Sequence, residues 1–279
     1  MTRDEQWLLN EKYGGKETAE YEADRKRLAL EEPLGYVIGW QPFLGLKIYL
    51  DSKPLIPPYS ARASQGTRPL IPRPETEWWV EQLLGELTGR KMGVGLGQAA
   101  RSAPIFRPVS EYTLKFLDLC AGSGAIGCAT LARLPNARVY FGEIDPAHEM
   151  TIAKNIRENN LDTARSDIRI GDLFEPFNDM QFDVIASNPP YVPSKRALPM
   201  SVTNYEPAHA LYAGTDGLDI IRRIASELPK YLARDGIAWI ECDTAHAAAA
   251  CAVFEAHGLS ATIRTDQYNE PRTLVVSFP

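Results

Sequence analysis

From Leu114 onward the chain repeats one pattern: a short apolar run, a break of glycine, proline or polar residues, then helical spacing of apolar residues. Lys115-Phe116-Leu117-Asp118-Leu119 predicts a strand, and Cys120-Ala121-Gly122-Ser123-Gly124 a tight turn into a helix through Leu134. Residues 138–143 predict a second strand, 146–160 a helix, 168–170 a third strand and 182–186 a fourth. Residues 217–232 predict a helix with Leu218, Ile221, Ala225, Leu228 and Leu232 on one face. A strand at 236–241, an Ala-rich helix at 245–256, and a closing antiparallel hairpin from 260–264 and 272–278 follow. Strand and helix in strict alternation imply an α/β fold, a mostly parallel, doubly wound sheet. Such a sheet places ligands at the carboxyl ends of its strands.

The fourth strand, Phe182-Asp183-Val184-Ile185-Ala186, runs into Asn188-Pro189-Pro190-Tyr191. Two prolines cannot donate to a sheet ladder, so the strand ends in a rigid exit. An amide or aromatic amine nitrogen is flat and its lone pair is delocalised, which makes it a poor nucleophile. The Asn188 side-chain oxygen and a backbone carbonyl, that of Pro189, can accept its two N–H groups. They favour the pyramidal geometry and positive charge that develop during attack. Tyr191 can stack on the flat group and orient it. Taken alone, Asn-Pro-Pro is as readily an ordinary turn.

The turn after the first strand points to a cofactor. Its glycines allow close backbone approach. Gly122, Gly124 and Gly127 are spaced as in G-x-G-x-x-G, but the series begins later after the strand than in a dinucleotide fingerprint. The turn also lacks the Lys and Ser/Thr of a P-loop, and Asp118 at the strand end would repel a phosphate. A cationic, phosphate-free cofactor suits it, and S-adenosylmethionine has that character. Glu143 ends the next strand, where a carboxylate can accept from both ribose hydroxyls. Asp145 is second in line for that role, although before Pro146 a helix N-cap is the better reading. In Gly171-Asp172-Leu173-Phe174, Asp172 can bond the adenine amine, and Leu173 or Phe174 can cover its ring.

Upstream, residues 3–32 are polar and helix-prone, broken at Gly14-Gly15, and Leu46-Lys47-Ile48-Tyr49-Leu50 alternates as in a small hairpin. Pro74-Glu75-Thr76-Glu77 opens a helix, proline in its first turn and acids at its positive end, with Trp78, Trp79, Leu83, Leu84 and Leu87 apolar. Adjacent tryptophans on a helix allow only one to be well buried. Residues 58–68 and 89–113 read as inserted loops. The expected organisation is 1–88, a helical and hairpin region for substrate docking; 89–113, a linker; and 114–279, the catalytic domain. A formal net charge of −6 and no basic stripe argue against a nucleic-acid partner. The four cysteines lack metal-like spacing and suggest buried thiols in a reducing compartment, and no apolar stretch reaches membrane-spanning length. The four histidines have no metal-site spacing, so solvated or core histidine is their default. Asp4, Glu5, Glu11, Glu17 and Glu20 are wrong for a targeting helix.

These residues together resemble a class I, Rossmann-like S-adenosylmethionine-dependent methyltransferase that modifies a planar nitrogen. Leu70-Ile71-Pro72-Arg73-Pro74-Glu75-Thr76-Glu77, Tyr205-Glu206-Pro207, Gly214 and Asp216-Gly217-Leu218 narrow the resemblance to the HemK/PrmC family. That family methylates the glutamine amide in the Gly-Gly-Gln loop of class I peptide chain release factors. The resemblance implies cofactor contacts from Asp118, Cys120, Ala121, Gly122, Ser123, Gly124, Glu143, Asp172 and Leu173. Asn188 would touch both cofactor and substrate, Pro189 would offer its carbonyl, and Pro190 and Tyr191 would shape the glutamine pocket. Asn188, Pro189 and Tyr191 are thus the expected catalytic residues, with no metal, and a release factor is the expected partner of a monomeric enzyme. Arg73 is equally suited to holding the helical region on the sheet and to meeting the substrate.

The chain departs from the family in four places. Cys120 stands where glycine is usual, the N-terminal helical region is short, two insertions interrupt the chain, and Glu241-Cys242-Asp243 replaces Glu-His-Gly. These lean towards a eukaryotic, mitochondrial member, with a cytoplasmic one as the alternative. Two rival functions share parts of the pattern: a methyltransferase for adenine in nucleic acid, and a degenerate fold that only binds.

Overall fold

The computed structural model describes residues 1–50, 68–89 and 113–279. The expected insertions at 58–68 and 89–113 lie, but for their end residues, outside these stretches. Helices α1 (Arg3–Tyr13) and α2 (Ala19–Ala29) break at Gly14-Gly15 as the sequence indicates. Thr2 and Thr18 cap them by accepting backbone N–H groups. A short helix, α3 (Leu34–Ile38), forms where apolar residues between Pro33 and Gly39 gave no helical period to read. Strands β1 (Trp40–Phe43) and β2 (Leu46–Tyr49) pair as the expected antiparallel hairpin. Helix α4 (Pro74–Leu87) begins on its proline. Trp79 is buried and stacks on Trp239 with ring centroids 6.3 Å apart, while Trp78 is only partly covered.

The main sheet follows: β3 (Leu114–Leu119), α5 (Ala125–Arg133), β4 (Ala137–Glu143), α6 (Ala147–Glu158), β5 (Ser166–Ile170) and β6 (Phe182–Ser187). Then come α7 (Met200–Thr203), α8 (Asp219–Tyr231), β7 (Leu232–Glu241), α9 (Ala247–Ala256), β8 (Ser260–Thr265) and β9 (Pro271–Ser277). The strand order is β5-β4-β3-β6-β7-β9-β8. The first five strands are mutually parallel, and β9 runs antiparallel to β7 and β8. This is the doubly wound sheet with a closing hairpin that the alternation predicts. The order reverses between β3 and β6, so the crevice at the carboxyl ends of that pair is the topological switch point.

Two apolar cores cover the sheet. One joins its face to α4, α5, α6 and the hairpin through residues such as Trp79, Phe116, Phe141 and Ile152. The other carries α8 and α9 through Ile185, Ile221, Leu228 and Phe254. Burying each such side chain contributes about 2 kcal/mol before chain entropy is counted. A third, small cluster of Leu8, Leu9, Tyr21, Val37 and Ile38 belongs to the first helices. Within residues 1–88 the described side chains fall into two clusters. Only the part before the hairpin has its own core, because Phe43, Ile48 and the buried face of α4 are apolar and share the core of the sheet. Among the described residues no helix is long and apolar enough to cross a membrane, and all four cysteines are free.

Candidate functional site

A cavity of about 610 Å³ opens at the switch point. Its walls are the ends of four adjacent strands: Cys120, Ala121, Gly122 and Ser123 after β3, Glu143 on β4, Gly171, Asp172 and Leu173 after β5, and Asn188 after β6. Cys120 takes φ +61° and Leu173 φ +49°, a left-handed backbone that L side chains adopt at a cost. Non-glycine residues in that region tend to mark ligand sites. Gly122, at φ +54°, faces open space, and its N–H donates to Glu143 Oε2 at 2.7 Å. Cys120 thus carries a side chain at a left-handed position where glycine would be unstrained. Burial, then the nearby Glu143 charge, pushes its thiol up to about 12, so it is a neutral wall residue and no nucleophile.

Glu143 is the polar centre of the cavity. Its Oε1 accepts from Asp145 N–H at 2.9 Å and from His148 Nδ1 at 3.2 Å. Burial pushes its carboxyl up, but His148 and the two backbone donors outweigh burial and leave it below the ordinary carboxylate range. Glu143 is therefore ionised. Three of its roughly four acceptor positions are filled. That leaves room for about one ribose-type hydroxyl, where the sequence alone allowed two. Asp145 accepts Ala147 N–H at 2.9 Å, the N-cap arrangement expected before Pro146. His148, whose default was a core or solvated histidine, is buried and lines the cavity; its Nε2 makes no hydrogen bond among the described residues and lies 3.9 Å from Asp145 Oδ2. Its spacing of five from Glu143, in the first turn of α6, was the available signal.

Three expected contacts fall elsewhere. Asp118 does not line the cavity: fully buried, it accepts Gly127 N–H at 2.8 Å. Burial first, and the Glu143 charge after it, hold its carboxyl well above the usual range. A strand-end acid caps the following helix here, because the turn carries the chain back over it. Gly124 also lies off the cavity, packed on Ile152 and Phe141. Phe174 is fully buried and stacks on Tyr231, centroids 4.6 Å apart, so only Leu173 of the expected pair can cover a ring. Asp172 lines the cavity and pairs with Arg223 at 2.8 Å.

A second cavity, about 210 Å³, lies on the other side of Asn188. Pro189 and Tyr191 line it, together with Arg73, Arg196, Asp243 and the apolar Leu70, Val192 and Leu198. Pro190 instead lines the larger cavity, since successive residues in an extended exit face opposite ways. Asn188 lines both. Its Nδ2 donates to Thr76 Oγ1 at 3.1 Å, and Tyr191 Oη donates to Glu241 Oε1 at 2.9 Å. Burial, then the Glu241 charge, raises the Tyr191 phenol well above its ordinary value, so it stays neutral. Downstream, Val192 N–H donates to Leu211 at 2.8 Å, and Ala213 N–H returns to Val192 at 2.9 Å, folding residues 211–218 over the exit. Arg73 lies at the smaller cavity and also pairs with buried Glu206 at 2.6 Å, which ties the start of α4 to the chain beyond the exit.

The larger cavity suits a phosphate-free cation. Its acids are Glu143, Asp145 and Asp172, and its one arginine, Arg223, is already paired. Among the described residues no group of His, Cys, Asp and Glu could hold a metal ion.

Comparison with known proteins places these features in context. Residues 107–205 match the sequence model described as "Methyltransferase small domain". The release factor glutamine methyltransferase of Geobacter sulfurreducens is 33% identical over 234 residues, covering 83% of this chain and 68% of that protein. The protein of the same name from Lactococcus lactis is 31% identical over 252 residues, 89% of this chain and 77% of that one. The ribosomal protein uL3 glutamine methyltransferase of Bradyrhizobium diazoefficiens is 30% identical over 213 residues, 76% of this chain and 57% of that one. Among solved structures, the hMettl16 catalytic domain in complex with MAT2A 3′UTR hairpin 6 aligns with a TM-score of 0.50. It shares 18% identity over 85% of this chain and 77% of that one, a likeness of fold. These sequence relatives are bacterial, and the mitochondrial lean finds no support in them.

Proposed function

The chain belongs to the release factor glutamine methyltransferase family, and from that premise we propose which residues perform its reaction and on what substrate. It is an S-adenosylmethionine-dependent enzyme of the class I methyltransferase fold that methylates the side-chain amide nitrogen of glutamine. The release factor is its proposed substrate, at the glutamine of the Gly-Gly-Gln motif. The observation that carries the assignment of roles is Asn188 on the wall shared by both cavities.

The residues of the larger cavity fit S-adenosylmethionine: ionised Glu143 with an acceptor position to spare, Gly122 open towards the space, and acids where a cation would lie. When bound, that cofactor supplies an electrophilic methyl group on a positively charged sulfur. Cys120, Ala121, Gly122 and Ser123 would hold it, with Glu143 on a ribose hydroxyl and Asp172 and Leu173 at the adenine.

The smaller cavity receives the glutamine. Asn188 Oδ1 and the Pro189 carbonyl accept its two N–H groups and orient its nitrogen towards the larger cavity. As the nitrogen becomes pyramidal and positive, those acceptors hold it more tightly than the ground state, worth about 3–4 kcal/mol where such groups have been removed from other enzymes. Tyr191 supplies an aromatic wall whose hydroxyl is held by Glu241. Among the described residues the carboxylate lining this cavity, Asp243, is already paired with Arg196, so the proton leaves to solvent after the bond forms.

One relative acts on ribosomal protein uL3, which favours that protein as the second candidate substrate. Competition separates them. Equimolar release factor and uL3, incubated with the enzyme and cofactor, should yield methyl on the release factor glutamine by fragment-ion mass spectrometry. Methyl on uL3 alone would transfer the assignment to that substrate.

A further inference from the structure

Resting on the reading of Asn188 above, we propose that Glu241 and Thr76 are positioning residues that decide which end of the Asn188 amide faces the substrate. An asparagine amide is symmetric in shape but not in chemistry. A half-turn about its last bond exchanges an acceptor for a donor. Only the orientation with Oδ1 towards the smaller cavity can accept a glutamine N–H. The reverse would set two donors against each other.

The surrounding bonds fix that choice. Trp79 carries an indole N–H that can only donate, and it points at Glu241 Oε2 at 2.7 Å. Thr76 Oγ1 lies 2.6 Å from the same oxygen. Glu241 Oε2 already takes the Trp79 N–H and so acts as an acceptor, and the single hydroxyl hydrogen of Thr76 goes to it. The Thr76 oxygen is then left to accept, and the group it accepts from is Asn188 Nδ2 at 3.1 Å. The NH₂ of Asn188 is thereby turned inward and its oxygen outward. The other carboxylate oxygen holds the Tyr191 hydroxyl at 2.9 Å, so one buried acid orients both sides of the glutamine pocket. Glu241 is fully buried and Thr76 is 4% exposed, so water does not compete for these bonds. The three groups come from the first turn of α4, the end of β7 and the exit of β6.

The test is Thr76→Val, which keeps the shape of threonine and removes the hydroxyl, beside Thr76→Ser, which restores it. Thr76→Val should lower kcat for glutamine methylation about 10-fold or more, the scale of one lost orienting hydrogen bond. The cofactor Kd, read by calorimetry without methyl transfer, should move less than about threefold, and Thr76→Ser should recover most of the rate. A wild-type kcat in Thr76→Val would overturn the inference. So would a cofactor Kd that rises in step with the lost rate, since Thr76 would then be a cofactor contact. A wild-type enzyme silent towards glutamine would overturn the underlying reading, and this inference with it. A second measurement needs no variant to fold at position 76. In unliganded wild-type enzyme the Asn188 NH₂ signal, assigned by its loss in Asn188→Ala, should be protected from solvent exchange. Fast exchange there would contradict an inward-facing amide.

Discussion

Asn188 stands on the wall between two cavities, with its nitrogen tied to Thr76 and its oxygen left for the substrate. Removing the side chain should therefore strike the transition state and spare the cofactor. Asn188→Ala should lower kcat by about 10²- to 10³-fold. Its cofactor Kd should shift by only a few-fold; a single-turnover assay and a calorimetric titration read the two apart. Cys120 tests the backbone of the cofactor turn. At φ +61° a Cβ costs about 1–2 kcal/mol, while glycine adds about 0.5–1 kcal/mol of unfolded-chain entropy. Cys120→Gly should be neutral or slightly stabilising in urea denaturation, and Cys120→Val should be clearly destabilising. A stabilising valine would show that the left-handed turn is not under strain.

At the scale of elements, the segment covering the Asn-Pro-Pro-Tyr exit depends on one close approach. Gly217 has φ +78°, and a Cβ there would sit 2.3 Å from the Tyr191 carbonyl oxygen. Gly217→Ala should destabilise the fold by about 1–3 kcal/mol and displace Tyr191. A lower midpoint in denaturant with a raised substrate KM is the expected signature. Much of this level was legible in the sequence. The strands from Leu114 onward, the proline start of α4 and the closing hairpin announce themselves through period and punctuation. The switch-point site was legible too, because Glu143 ends a strand and Gly122 and Asn188 each lie just past the end of one. Glu241 was not legible as part of the site. It also ends a strand, but only the order β3-β6-β7 brings that end beside Asn188, and strand order is a long-range property. Asp118 was misplaced for the complementary reason: a strand-end acid and a buried helix cap look alike until the turn above them is built.

Over the whole molecule, the hairpin and the cofactor turn are joined by one side chain. Asn155, fully buried on α6, accepts Tyr49 N–H at 2.7 Å and donates to the carbonyls of Tyr49 at 3.0 Å and Ser123 at 2.8 Å. The hairpin is thereby fastened to the sheet beside the cavity, and it shares the sheet's core. Asn155→Ala should cost on the order of 3 kcal/mol, since it strands buried backbone groups. Because Ser123 loses its tie as well, cofactor affinity should fall together with stability. A stability loss with unchanged cofactor Kd would place the clasp outside the binding apparatus. The whole arrangement rests on glutamine as the methyl acceptor, and one experiment reaches that most directly. Labelled S-adenosylmethionine is incubated with the enzyme and a purified class I release factor, beside the same factor carrying Gln→Ala in its Gly-Gly-Gln motif. Label on the wild-type factor alone is the predicted result. Label on both, or on neither while cofactor binding is intact, would contradict it.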